Sequence, residues 1–330
     1  MPPRPRALVT APVRGDGLDL LRELADVVYD PWIEQRPLRI YSAEQLAERA
    51  AAEDATILVV EADRCAGPVF SRQLAAVASC RGDPNNVDVA AATAAGVPVL
   101  RAPGRNADAV AELTVALLLT ATRGVVRADR DVREDQVYRD GTIPYQRFRA
   151  WQLSGRTAGI VGLGAVGRAL AWRLRGLGMH VVTTDPYAPD ATHTLQELLT
   201  VSDVVSLHAP VTPETTGMIA EKQFAAMRDG VVFLNTARAQ LHDTAALVAA
   251  LESGKIGAAG LDHFEGEHLP PDHPLTTFPN VVLTPHIGGA TYDTEANHTR
   301  LIAEDLCRLL AGASPRHVVN PEVLKSSVRP

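Results

Sequence analysis

The chain has 330 residues, 46% of them hydrophobic, and a formal net charge of −7. That length exceeds what one ordinary core supports and suits two domains, while the acidic balance argues against nucleic-acid or anionic-membrane partners. No run of about 18 apolar residues occurs, so no membrane span is expected. The start Met-Pro-Pro-Arg-Pro-Arg lacks the apolar core of a secretory signal, and Cys65, Cys80 and Cys307 are too few and odd in number for a disulfide framework. A reduced, cytoplasmic compartment is expected.

In chain order, strands are predicted at 7–10, 27–29 and 56–60, with helices at 18–25 and 43–52 between them. This is the βαβ alternation of a parallel sheet. Residues 115–119 are apolar enough to be buried, and 123–139, where arginines alternate with acids, reads as an exposed helix face. Strands follow at 157–163, 180–184, 204–209, 231–235, 258–264 and 281–284, separated by helices at 165–177, 194–200, 221–227 and 243–252. A final helix at 294–310 carries Leu301, Ile302, Leu306, Leu309 and Leu310 at core spacing and is expected to cross back to the first segment. The expected fold class is α/β, with two doubly wound parallel-sheet domains. A Rossmann domain at 104–292 is inserted into a discontinuous flavodoxin-like domain, 1–103 and 293–330, with hinges near 102–105 and 288–294 and a ligand cleft between the domains. The proline-rich start and the end at 326–330 are expected to be mobile.

Residues 158–167 read Ala-Gly-Ile-Val-Gly-Leu-Gly-Ala-Val-Gly. In such a fingerprint Gly162 makes the tight turn after the strand, Gly164 lets backbone approach a pyrophosphate, and Gly167 lets helix pack close on strand. The phosphates would sit at the helix N-terminus, where unpaired N–H groups and the helix dipole favour an anion. Asp185 lies 23 residues after Gly162 at the end of the next strand, where a ribose-binding acid belongs. Its charge repels a 2′-phosphate, and Pro186, Tyr187 and Ala188 offer no arginine to bind one, so the expected cofactor is NAD.

Three further stations fall at predicted strand ends: Asn235-Thr236-Ala237-Arg238, Gly260-Leu261-Asp262-His263-Phe264-Glu265-Gly266-Glu267, and Thr284-Pro285-His286-Ile287-Gly288-Gly289. An arginine fork suits bidentate carboxylate binding. A histidine suits proton transfer near neutral pH. With Ser206-Leu207-His208-Ala209-Pro210, Thr215 and the segment at 102–112, these stations resemble the D-isomer-specific 2-hydroxyacid dehydrogenase family, over a stretch running from about Asn85 to the end.

That resemblance implies a catalytic set of Arg238, Glu267 and His286, the 29-residue spacing of Arg238 and Glu267 selecting Glu267 over Glu265. Arg238 would clamp the substrate carboxylate and polarise its 2-oxo group, and His286 would exchange a proton with the substrate oxygen. Glu267 would orient His286 and favour its protonated form. It extends the cofactor site to Ala165 and Val166, to His208, Ala209, Pro210 and Thr215, to Thr236 and Ala237, and to Gly288, with Asp262 meeting the nicotinamide carboxamide. It also implies a homodimer formed through the helical region at 106–150.

The sequence departs from the family habit at Ala239, where glycine is common, at His263, where valine is common, and at His268, where proline is common. Arg81, Gly82 and Arg105, with Arg238, point to a small-molecule substrate with a second anionic group, 3-phosphoglycerate first, and without a C-terminal regulatory domain. Glyoxylate, hydroxypyruvate or phosphonate-bearing 2-oxo acid reduction, phosphite oxidation, and a dinucleotide-sensing corepressor are the alternatives. No metal site is expected, because His263, His268 and His273 are five residues apart, which fits no common zinc pattern. The cysteines are expected to be buried.

Overall fold

Short runs of β-branched and small apolar residues become strands here, and the polar residues between them cap helices. In the computed structural model, which describes residues 4–326, the chain forms two units, one ending at Arg105 and resuming at Thr291, the other Asn106–Ala290. The expected mobility of the two termini falls largely on 1–3 and 327–330, outside the described residues.

The first unit opens with β1 (Arg6–Val9), α1 (Asp16–Leu24), β2 (Asp26–Tyr29), α2 (Ala43–Ala52), β3 (Ile57–Val60), β4 (Ala76–Ser79), α3 (Val89–Ala94) and β5 (Val99–Leu100). All its strands are parallel, in the order β2-β1-β3-β4-β5, the flavodoxin-like arrangement. Every residue of β3 and β4 is buried, as a parallel sheet covered on both faces requires. A reciprocal box starts α2: the Gln45 amide donates to Ser42 Oγ at 3.3 Å and the Ser42 amide to Gln45 Oε1 at 3.0 Å.

The second unit starts with α4 (Ala107–Arg123), α5 (Val125–Arg133) and α6 (Pro144–Arg147). Its Rossmann part follows as β6 (Thr157–Val161), α7 (Ala165–Gly176), β7 (His180–Thr184), α8 (Leu195–Val201), β8 (Val204–Leu207), α9 (Glu221–Ala226), β9 (Val231–Asn235), α10 (Thr244–Glu252), β10 (Ile256–Leu261) and β11 (Val281–Leu283). The six strands are parallel, ordered β11-β10-β9-β8-β6-β7. From β6 the chain goes first to β7 on one side and then to β8 on the other, so the carboxyl ends of β6 and β8 flank the point where strand order reverses. Cores built on Phe233, Leu247 and Ile256, and on Ile160, Leu170 and Leu118, supply its buried apolar residues.

Two sequence readings are corrected in this unit. Within 115–119 only Leu117 and Leu118 are buried, and Leu119 is exposed, because α4 turns only one face to the core. The run 123–139 is not one exposed face: α5 stops at Arg133, and Asp131 is buried with Arg147 at 3.1 Å and Arg139 at 3.2 Å from its carboxylate.

The chain then returns to the first unit as α11 (Tyr292–Leu310) and α12 (Glu322–Ser326). Thr291, whose hydroxyl accepts from the Thr294 amide at 3.1 Å, starts α11 two residues before the expected position. Ile302, Ala303 and Leu306 join Val9, Val59 and Leu100 in one core. Helix α1 crosses α11 closely enough that a Cβ on Gly17 would stand 2.5 Å from the Arg300 amide nitrogen. Cys65 and Cys80 are buried and Cys307 is only half-buried; burial pushes the Cys65 thiol up to about 12. Among the described residues no single helix is long and apolar enough to cross a membrane.

Candidate active site

The glycine turn after β6 separates three roles that the sequence assigned together. Gly162 has φ +96°, and a Cβ there would stand 2.6 Å from the backbone of His208, so it is needed for both its dihedral and its contact. A Cβ on Gly167 would collide with the Gly162 carbonyl oxygen, so it permits α7 to seat against the turn. Gly164 is different: it is the N-cap of α7, has no side-chain cap, and a Cβ there would meet nothing. The amides that begin α7 with Ala165 and Val166 therefore face open space where an anion fits.

Asp185 closes this turn from β7. Its carboxylate accepts from the Leu163 amide at 2.8 Å and the Tyr187 amide at 2.9 Å, which fixes it while leaving lone pairs for ribose hydroxyls. Arg168, on the first turn of α7, carries an electrostatic influence from Asp185, a neighbour invisible to a search limited to residues after Asp185. Asp190 binds its guanidinium at 2.5 and 2.8 Å, and the pair holds the Asp190 carboxyl down at about 2.

The His208 loop lies against the turn. Its Nε2 pairs with Ser206 Oγ at 2.8 Å, while Nδ1 is buried without a hydrogen-bond partner among the described residues; burial lowers the imidazole to about 4, so it is neutral. The Thr215 hydroxyl donates to the Pro210 carbonyl at 2.6 Å, folding 210–215 back on itself beside Ala209. An orphaned nitrogen and an open helix N-terminus at one switch point are what a dinucleotide cradle requires.

At the end of β9, Asn235 shapes the next turn: Oδ1 accepts from the Ala237 amide at 3.0 Å and Nδ2 donates to the Arg238 carbonyl at 2.8 Å. Thr236 is buried, its hydroxyl 2.8 Å from that of Thr114. Arg238 is exposed, and among the described residues its guanidinium pairs with no carboxylate; it reaches only the Ala237 carbonyl at 2.6 Å.

Asp262, 1% exposed, organises the last station. Its carboxylate accepts from the Thr284 hydroxyl at 2.6 Å, the Ile287 amide at 2.9 Å and the Gly288 amide at 2.8 Å. Its own carbonyl accepts from the His286 amide at 2.9 Å. The strand predicted to reach Phe264 therefore stops at Leu261, because Asp262 is committed to the loop that carries His286. Gly288 packs here, its Cβ position 3.0 Å from Asp262 Oδ2.

His286 Nδ1 lies 3.0 Å from Glu267 Oε1. Both residues have left-handed backbones, φ +53° and +56°, a conformation uncommon outside glycine. Such strain, of order 1–3 kcal/mol per residue, persists where the surroundings impose it and concentrates at functional sites. Nothing in the residue pattern announced it. His263, noted in the sequence only as a departure, is 4% exposed, and its ring lies on that of His286 with centroids 3.8 Å apart. Burial, with His286 and Arg238 adding positive charge, lowers it to about 3.

In the first unit, Arg81 donates to the Glu61 carbonyl at 2.6 Å and to Asn85 Oδ1 at 2.8 Å, and the Gly82 carbonyl accepts from Arg101 at 3.3 Å. Arg105 forms an ion pair with Glu61 and donates to His298 Nδ1 at 2.8 Å. The charge expected at Arg105 is thus compensated within its own unit.

Residues 115–288 match the family model described as D-isomer specific 2-hydroxyacid dehydrogenase, NAD binding domain. A glyoxylate reductase of Thermofilum pendens is 38% identical over 99% of this chain and 97% of its own length. A D-3-phosphoglycerate dehydrogenase of Archaeoglobus fulgidus is 40% identical over 72% of this chain but 45% of its own length. Among solved structures, the TT0316 protein from Thermus thermophilus superposes with a TM-score of 0.80 at 37% identity, covering 95% of this chain and 99% of that one. The match to the family model over more than half the chain, joined to full-length relatives, establishes that this protein belongs to the D-isomer specific 2-hydroxyacid dehydrogenase family and is an NAD-dependent oxidoreductase of 2-hydroxy acids.

Proposed function

We propose that the chain interconverts a D-2-hydroxy acid and its 2-oxo acid with Arg238, Glu267 and His286 as the working groups. The observation carrying this reading is the 3.0 Å hydrogen bond between His286 and Glu267. NAD, when bound, supplies the hydride acceptor or donor. Glu267 holds His286 at Nδ1, which leaves Nε2 to exchange the proton with the substrate oxygen. Arg238 presents its uncompensated guanidinium to the substrate carboxylate, where charge and fork geometry both favour binding. Gly164 with the amides of 165 and 166 would hold the pyrophosphate, and Asp185 the adenosine ribose, disfavouring a 2′-phosphate. His208, Ala209 and Pro210, with Thr236 and Ala237, would line the dinucleotide.

For the substrate, a small 2-oxo acid of the glyoxylate and hydroxypyruvate class is supported over a phosphorylated one. Glu61 offsets Arg105, which weakens the first-unit cationic charge on which the two-anion expectation rested, and several similar relatives are glyoxylate reductases. A homodimer is supported by exposed Val132, Tyr138, Ile143, Tyr145 and Trp151, apolar surface of the kind subunits bury. The deciding assay offers glyoxylate, hydroxypyruvate, and 3-phosphoglycerate in the reverse direction, each with NAD and NADP forms. Fastest turnover on glyoxylate or hydroxypyruvate with NADH is expected; a preference for 3-phosphoglycerate would return the second anion site to Arg81, and Arg81→Ala would then raise its KM. His286→Gln should abolish turnover while NADH binding, followed by fluorescence, is retained.

A further inference from the structure

His263, Glu267 and His286 each bring one donor atom within 4.8 Å of the others. The separations are specific: His286 Nδ1 to Glu267 Oε1 is 3.0 Å and His263 Nδ1 to the same oxygen is 3.8 Å. Donors around a tetrahedral ion with bonds of about 2.0–2.1 Å stand about 3.3 Å apart, a value these distances bracket. Two imidazoles and one carboxylate are also the donor set, with one open position, that a zinc-class ion accepts. No hydrogen bond to either His263 ring nitrogen is formed among the described residues, although the side chain is 4% exposed. Packing alone would be served by an aliphatic residue there, whereas the His263 Nδ1 faces the Glu267 carboxylate.

We propose that His263, Glu267 and His286 form a binding site for a divalent transition-metal ion of the zinc class, and that the ion inhibits the enzyme. The expectation of no metal rested on sequence spacing among His263, His268 and His273; the fold instead brings His286 from the next strand end. A metal on His286 Nδ1 displaces the proton shared with Glu267 and removes Glu267 as its orienting partner. The inhibitory half rests on the catalytic reading of His286, whereas metal binding does not. His263 also lines a cavity of about 510 Å³ with His242, Phe264, His268 and His273.

The test titrates ZnCl2 into the full-length protein by calorimetry in a non-chelating buffer and measures turnover in parallel. One ion per chain, binding weakened more than about 100-fold in His263→Val, and zinc inhibition of the parent but not of His263→Val are expected, with uninhibited turnover of the variant kept within about threefold. Unchanged affinity in His263→Val, or affinity lost instead in His268→Ala or His273→Ala, would overturn the site. Binding lost in His263→Val with no inhibition of the parent at saturation would leave the site standing and refute the role of His286. Should His263→Val not fold, His263→Gln and a Co2+ titration of the parent decide: intense four-coordinate visible absorption supports the site, and the weak spectrum of the hydrated ion refutes it.

Discussion

Acidification should weaken the first unit through His298. This residue is fully buried, with Nε2 donating to the Pro12 carbonyl at 2.6 Å and Nδ1 accepting from Arg105 at 2.8 Å. Protonation at Nδ1 would cost that acceptor and set an imidazolium against a guanidinium. Burial first, and Arg105 second, lower the imidazole to about 4. An unfolded histidine titrates near about 6.5, so between these values the unfolded chain binds more protons and stability falls as pH falls. At about pH 5.5 the unfolded group is roughly 90% protonated and the folded one almost neutral, a loss of about 1.3 kcal/mol relative to neutral pH, with a ceiling near 3.4 kcal/mol below about pH 4. Ring-proton NMR across pH 7.5 to 4.5, with hydrogen exchange of α11 amides, reads both quantities. His298→Gln, which keeps a donor and an acceptor without titrating, should flatten the pH dependence by about one proton. A ring midpoint above about 6, or an unchanged slope in the variant, would refute the reasoning.

The glycine turn yields a paired prediction. Gly167→Ala should destabilise the second unit by several kcal/mol, since its Cβ has no room beside the Gly162 carbonyl, and thermal unfolding would register this. Gly164→Ala, with open space at its Cβ, should leave unfolding nearly unchanged and raise the KM for NADH by tenfold or more, about 1.4 kcal/mol. Asp262→Ala should strip three donors of their acceptor, two of them backbone amides, at about 1–3 kcal/mol for each left buried. Turnover should then fall with the loosening of His286, while Asp262→Asn, keeping one acceptor oxygen, should recover part of both; equal damage from the two variants would argue against the hydrogen-bond account.

Strand and helix alternation was legible because parallel strands buried on both faces read as continuous apolar runs, as at 57–60 and 231–235. Strand β4, Ala76-Val-Ala-Ser79, was not legible: alanine and serine carry little β preference, and its burial comes from neighbours far along the chain. The family motifs pointed to Arg238, Glu267, His286 and the glycines, and the fold sets His286 against Glu267 at 3.0 Å. They did not reveal that Asp262 spends its carboxylate on the His286 loop, because a hydrogen bond between residues more than twenty positions apart leaves no periodic trace. Arg105 was counted as free charge for the same reason: its partner Glu61 lies 44 residues earlier. His263 was visible only as an oddity, and its ring contact with His286 required the fold.

The left-handed backbones of Glu267 and His286 carry a consequence for engineering and drift. Glycine would adopt both conformations at no steric cost, so His286→Gly and Glu267→Gly sit among the substitutions favoured by backbone geometry while erasing the side chains proposed to carry the chemistry. Selection for thermal robustness alone would therefore pull this loop away from activity, and a stabilised descendant of this chain would keep its His-Glu pair only if turnover were selected at the same time.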